Sequence, residues 1–157
     1  MKRQQGFTLI ELVVVIIILG ILAVVAAPKF INLQSDARIA TLSGAEGALK
    51  GANALVFSKA AIQGLESGDQ TTVEIDGNGT TVNTFNGYVK DAAAIVEVLE
   101  ESGIASGPGV SWLVDDSSGT PILIYDAEYN TSTCAVQYTP ASASDATPTY
   151  AIDESGC

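Results

Sequence analysis

Apolar positions follow two regimes along this chain. From residue 7 to residue 27 almost every side chain is apolar, and between residues 12 and 27 none carries a charge or a hydrogen-bonding group. As a helix this run is ~31 Å long, enough to cross the hydrocarbon core of a bilayer. After Pro28 the apolar residues recur in steps of three or four, or two such steps together. They are Phe30, Leu33, Ala37, Ala40, Ala48, Ala52, Leu55 and Ile62, with Gly44 in line. This stripe predicts that the same helix continues in amphipathic form, ended near residue 63 by Gly64 and Gly68. Pro28 has no N–H for the carbonyl of Val24, so a kink or loosening is expected just before it. Gly20, about two turns earlier, adds flexibility.

Beyond residue 68 the periodicity shortens. Residues 72–75 read as a strand and 76–79 (Asp-Gly-Asn-Gly) as a turn. A calcium loop starting at Asp76 would need a glutamate where Gly87 stands, so the turn is the better reading. Residues 91–102 place Ala92, Ile95, Val96 and Leu99 on one face of a short helix closed by Gly103. Residues 110–114 and 121–125 form a hairpin signal through the polar 115–119 segment. Residues 133–139 and 149–152 supply two more strands. The expected fold class is α+β: a long N-terminal helix packed on an antiparallel β-sheet of about four strands. The sheet would bury the helical stripe from Phe30 to Ile62, with Trp112 in the interface.

Charge sharpens this division. All seven basic residues lie in the first 90 positions, and the last 67 hold eleven acids and no base. Such a surface repels phosphates, so no nucleic acid is expected as a partner of the C-terminal half. It reads as a solvated acidic face that keeps an exported protein soluble. There is no histidine, and no nucleophile elbow, phosphate loop or metal cluster is visible, which argues against an enzyme. Asp115 and Asp116 read as a solvated corner. Two cysteines, Cys134 and Cys157, follow what reads as an export signal, so a disulfide is expected, with free buried thiols as the alternative. The bridge would be worth roughly 3 kcal/mol and would restrain the end of the chain.

The start of the chain carries the sharpest signal. Lys2 and Arg3 precede the apolar run, which places the N-terminus in the cytoplasm and sends the rest outward. A cleavable signal peptide would need small residues before its cut, and Pro28 directly after Ala26-Ala27 is awkward there. A plain membrane anchor fits the length. Neither accounts for Glu11, a carboxylate costing ~2.5–3.5 kcal/mol in an apolar span unless it has a partner. A cut between Gly6 and Phe7 would create an α-amino group four residues before Glu11. That ammonium, on a neighbouring subunit, could pair with the carboxylate and set the stagger between helices.

Lys-Arg-Gln-Gln-Gly followed by Phe-Thr-Leu-Ile-Glu closely resembles the prepilin peptidase site of type IV pilins and type II secretion pseudopilins. The resemblance implies cleavage after Gly6, N-methylation of Phe7 and an assembly role for Glu11; the leader length and Phe7 resemble the type IVa class. It implies the type IV pilin fold with a C-terminal disulfide loop, and local unwinding between Gly20 and Pro28 when subunits pack. Residues 28–38 and 47–62 are similar to the mannose-sensitive haemagglutinin (MSHA) pilins. The division implied is a leader at 1–6, a transmembrane and filament-core half-helix at 7–27, and a globular head at 28–157. The precursor would be a single-pass inner-membrane protein; the product would be a homopolymeric helical filament outside the cell. Its partners would be further copies of itself, the membrane, prepilin peptidase, an inner-membrane assembly platform and surface glycans, with no cofactor. The alternatives are a type II secretion major pseudopilin and a monomeric membrane-anchored binding module.

Overall fold

The computed structural model describes residues 7–101, 112–128, 132–143 and 146–157. Lys2, Arg3 and Gly6, the helix-closing Gly103 and the first two residues of the strand expected at 110–114 lie outside the described residues. The first element is α1, Leu9–Gln63, which runs through Gly20 and Pro28 without a break in helical structure. The chain divides into two compact units, Met1–Arg38 and Ile39–Cys157.

Within the first unit the side chains from Phe7 to Val25 are exposed, Phe7 at 95% and Val24 at 76%. Here α1 is long and apolar enough to cross a membrane by length and composition.

The second unit is built around the C-terminal part of α1. A first sheet pairs β1 (Asp69–Glu74), β2 (Thr81–Phe85) and β3 (Tyr88–Val89) in antiparallel order, with an irregularity between Gln70 and Val73. Then follows α2, Ala92–Glu101. Asp91 caps it: its Oδ1 accepts from the Ala94 N–H at 2.8 Å. A second sheet is the four-stranded antiparallel meander of β4 (Trp112–Asp115), β5 (Ile122–Asp126), β6 (Ala135–Thr139) and β7 (Thr149–Asp153). The expected hairpin is therefore present, with Trp112 opposite Asp126 and Asp115 opposite Leu123. Trp112 packs against the core from the start of β4, beside which α2 lies.

The end of α1 is a Schellman closure. Gly64 takes a φ of 70°, its N–H reaches the Ala61 carbonyl at 3.2 Å, and the Leu65 N–H reaches Ala60 at 2.8 Å. Glycine adopts this left-handed conformation without the Cβ clash that penalises other residues.

The buried face of α1 differs from the expected stripe. Leu42, Ala45, Leu49, Ala52, Val56 and Ala60 enter the core, whereas Phe30, Leu33, Leu55 and Ile62 are exposed. Of the expected stripe only Ala52 is fully buried. Residues 39–62 are small or apolar on nearly every side of the helix, so two stripes fit the same period. The sheets cover the one that meets Val73, Val82, Val89, Ile124, Val136 and Tyr138. On α2 the fully buried residues are Ala94, Ile95, Val98 and Leu99, a partial overlap with the face expected.

Candidate functional site

The first turn of α1 holds Glu11, the carboxylate singled out in the sequence. Thr8 stands at the N-cap, and the first helical bond runs from the Leu12 N–H to the Thr8 carbonyl at 3.3 Å. Glu11, three residues on, accepts from both the Thr8 N–H and the Thr8 hydroxyl on Oε2, each at 2.7 Å. The Glu11 N–H in turn approaches Thr8 Oγ1 at 3.4 Å. This reciprocal arrangement is a capping box, which satisfies donors that a helix start leaves without a partner. Its signature, Thr-x-x-Glu ahead of an apolar run, is legible in the chain, so Glu11 has a local partner besides the cation expected from a neighbour. Both bonds to Thr8 fall on a single oxygen of the carboxylate.

Phe7 immediately precedes this cap, while Gly6 lies outside the described residues. Gly20 and Pro28 sit within α1; a Cβ built on Gly20 meets nothing within 4 Å. No contact within the described chain requires a glycine there.

In the second unit the two cysteines are joined, Cys134 to Cys157, with their Cα atoms 4.9 Å apart. The returning segment is also held by the Gly156 N–H on the Thr133 carbonyl at 2.8 Å. A Cβ on Gly156 would fall 2.0 Å from Thr133 Oγ1, so only glycine fits this close approach.

One buried polar network was not foreseen. Asn53 on α1 is 1% exposed. Its Nδ2 donates to Tyr150 Oη at 2.7 Å and to Tyr138 Oη at 3.3 Å, and its Oδ1 accepts from the Val89 N–H at 3.0 Å. Tyr138 Oη donates onward to the Val89 carbonyl at 2.6 Å. One amide thus ties α1 to β3, β6 and β7, with its polar atoms satisfied as burial demands. Burial pushes the Tyr138 phenol well above its ordinary range, and burial likewise raises that of Tyr150.

Beside this network is an open groove of about 450 Å³ whose lining includes Lys50, Phe57, Tyr88, Pro148 and Tyr150. Phe57 and Tyr88 stack at 5.1 Å between ring centroids, and the Lys50 ammonium stands 5.2 Å from the Tyr150 ring centre.

Among the described residues no cluster of three or more cysteine or acidic side chains is arranged to hold a metal ion. The carboxylate of Asp76 is committed to its own turn. It accepts from the Thr80 hydroxyl at 2.7 Å and from the N–H groups of Asn78 and Thr80 at 2.8 and 3.1 Å. These bonds, the Thr80 hydroxyl first, hold its pKa down at about 2.

The N-terminal residues 1–27 match the family model described as the prokaryotic N-terminal methylation motif. Over 83 residues the chain is 36% identical to the type IV narrow pilus major component PilA5 of Thermus thermophilus, covering 53% of this chain and 70% of that one. Over 110 residues it is 33% identical to the fimbrial protein EcpC of Eikenella corrodens, covering 66% and 68%. A shorter match of 43 residues, at 42% identity, relates it to the type II secretion system core protein G of Pseudomonas aeruginosa, covering 27% and 30%. No solved structure matches the chain.

Proposed function

The chain belongs to the type IV pilin family, and on that footing we propose that it is the major structural subunit of an MSHA-like pilus. Its precursor is held in the inner membrane by residues 7–27, with the N-terminus cytoplasmic. Prepilin peptidase removes residues 1–6 by cutting between Gly6 and Phe7, and Phe7 is then N-methylated. An inner-membrane assembly platform lifts the subunit into a homopolymeric filament. Residues 7–27 become its core, and residues 28–157 form the head. The family is structural, and no catalytic step is invoked.

The observation that carries this reading is the setting of Glu11. It is a carboxylate on an otherwise apolar, exposed helix, one turn after the proposed cut, bonded to Thr8 through Oε2. In the filament Oε1 takes the α-ammonium of a neighbour's Phe7. An unpaired carboxylate in that low-dielectric core would penalise every other register. The exposed second face of α1, with Leu55 and Ile62, supports the same reading, because a helix apolar all round needs more than its own head to cover it. Gly20 and Pro28 form the flexible join between the two halves of the helix, Pro28 by its missing N–H and Gly20 by its missing side chain.

The resemblance of residues 28–38 and 47–62 to MSHA pilins supports a role in surface attachment and biofilm formation. The groove lined by Tyr88 and Tyr150 offers ring faces on which a surface glycan can stack. A type II secretion major pseudopilin is the second reading, favoured by the similarity to core protein G. The longer matches to pilus and fimbrial proteins favour the pilus. Electron microscopy of cells with and without the gene tests the proposal: surface filaments should disappear with it. Unchanged filaments in the deletion would overturn it. Gly6→Ser should leave the leader attached in the intact mass of the purified subunit, and normal trimming would refute the cut.

A further inference from the structure

The described chain contains two Asn-Gly pairs, Asn78-Gly79 and Asn86-Gly87, in opposite chemical settings. In any such pair the backbone nitrogen after the asparagine can attack the side-chain amide, because glycine has no Cβ to obstruct the approach. We propose that Asn78 is a site of spontaneous deamidation assisted by Glu74, whereas Asn86 is protected by the fold.

Asn78 is exposed at the turn between β1 and β2, and its side-chain amide has no hydrogen-bond partner among the described residues. The attacking group is already engaged by a base: the Gly79 N–H donates to Glu74 Oε1 at 3.1 Å. That is within the reach required of a general base. Glu74 is itself held at the end of β1 by Gln63 of α1. Gln63 Oε1 accepts from the Glu74 N–H at 3.2 Å, and Gln63 Nε2 donates to the Glu74 carbonyl at 2.8 Å. The carboxylate therefore has a fixed base from which to act.

Asn86 shows the converse. Its Oδ1 accepts from the Gly68 N–H at 3.1 Å, and its Nδ2 donates to the Ala143 carbonyl at 2.7 Å. Gly87 is buried, and a Cβ built on it would fall 2.8 Å from the Phe57 ring. Attack at Asn86 requires breaking both side-chain bonds and moving a buried backbone.

The reaction at Asn78 balances with water alone as co-reactant. The Glu74 carboxylate takes the Gly79 amide proton as that nitrogen bonds to Asn78 Cγ. The Cγ–Nδ2 bond then breaks, and ammonia leaves with the proton returned by Glu74. The resulting five-membered imide is opened by water at either carbonyl, giving aspartate or isoaspartate. The product carries a new carboxylate beside Glu74 and Asp76. The isoaspartate form also lengthens the backbone between the Asn78 and Thr80 N–H groups, both of which Asp76 holds.

The test is peptide mapping by mass spectrometry of the full chain in detergent, aged at neutral pH and physiological temperature. Conversion at Asn78 should run at least several-fold faster than at Asn86. Glu74→Gln should slow Asn78 several-fold without affecting Asn86, with unchanged circular dichroism establishing that the variant is folded. In denaturant the two sites should convert at similar rates, and the Glu74→Gln effect should vanish. Equal rates at both sites in the folded protein would overturn the proposal. A Glu74→Gln chain that is folded and deamidates as fast as the parent would equally overturn the role of Glu74.

Discussion

Asn53 shows how much a single residue carries in this head. Its amide satisfies partners on three strands at once, so Asn53→Ala leaves the Val89 N–H and two phenols short of a bond. The expected loss is about 3 kcal/mol, read as a fall in the urea midpoint. Tyr138 adds a pH dependence. Its folded-state pKa lies above the ordinary value of 10.0, so the native state keeps a proton that the unfolded chain releases. Stability is complete below that pH and should fall above it by about 1.4 kcal/mol per pH unit. Alkaline unfolding curves should flatten in Tyr138→Phe. Thr84 is the converse case, fully buried with its hydroxyl lacking a hydrogen-bond partner among the described residues. Thr84→Val should raise stability by about 1 kcal/mol in thermal melts. None of this was legible in the sequence, because Asn53, Tyr138 and Tyr150 lie far apart in the chain and only the packed fold brings their polar atoms together, just as only packing buries Thr84. The Thr8–Glu11 box is legible, being local, but a carboxylate in an apolar run points first to a cation and so masks the simpler cap.

At the level of elements, α1 has two apolar faces with different destinations. The hairpin of β4 and β5, the strands β6 and β7, the helix α2 and the Gly64 stop all follow from turn residues and period. The buried face of α1 does not, since alanines and glycines spread apolar character around the helix and leave the choice to the sheets. The pair β2 and β3 was also missed: TVNTF buries Val82 and Thr84 at alternate positions, but its polar residues concealed the strand. The two faces separate in mutation. Leu49→Ala, at a fully buried position, should cost 2–5 kcal/mol of head stability, or about 3. Leu55→Ala, at a position 68% exposed, should change stability by less than about 0.5 kcal/mol and instead reduce filament yield. Denaturation of the purified subunit, set beside filaments sheared from cells, checks both.

For the whole molecule, charge and covalent closure fit a type IV pilin. The Cys134–Cys157 bridge closes the segment containing β6 and β7, and replacing Cys134 with Ser should lower stability by roughly 3 kcal/mol; unchanged protease resistance would contradict this. The proposed polymer rests on Glu11: it caps its own helix, and under the proposal it is also the counter-charge for a neighbour. Glu11→Gln separates the two roles, because glutamine also completes a capping box but carries no charge. Electron microscopy of cells making Glu11→Gln, with the processed subunit verified in the membrane by mass spectrometry, is the decisive measurement. A trimmed, membrane-held subunit with no filaments is the expected result. Filaments of normal number and length would contradict the pairing of Glu11 with the neighbouring N-terminus.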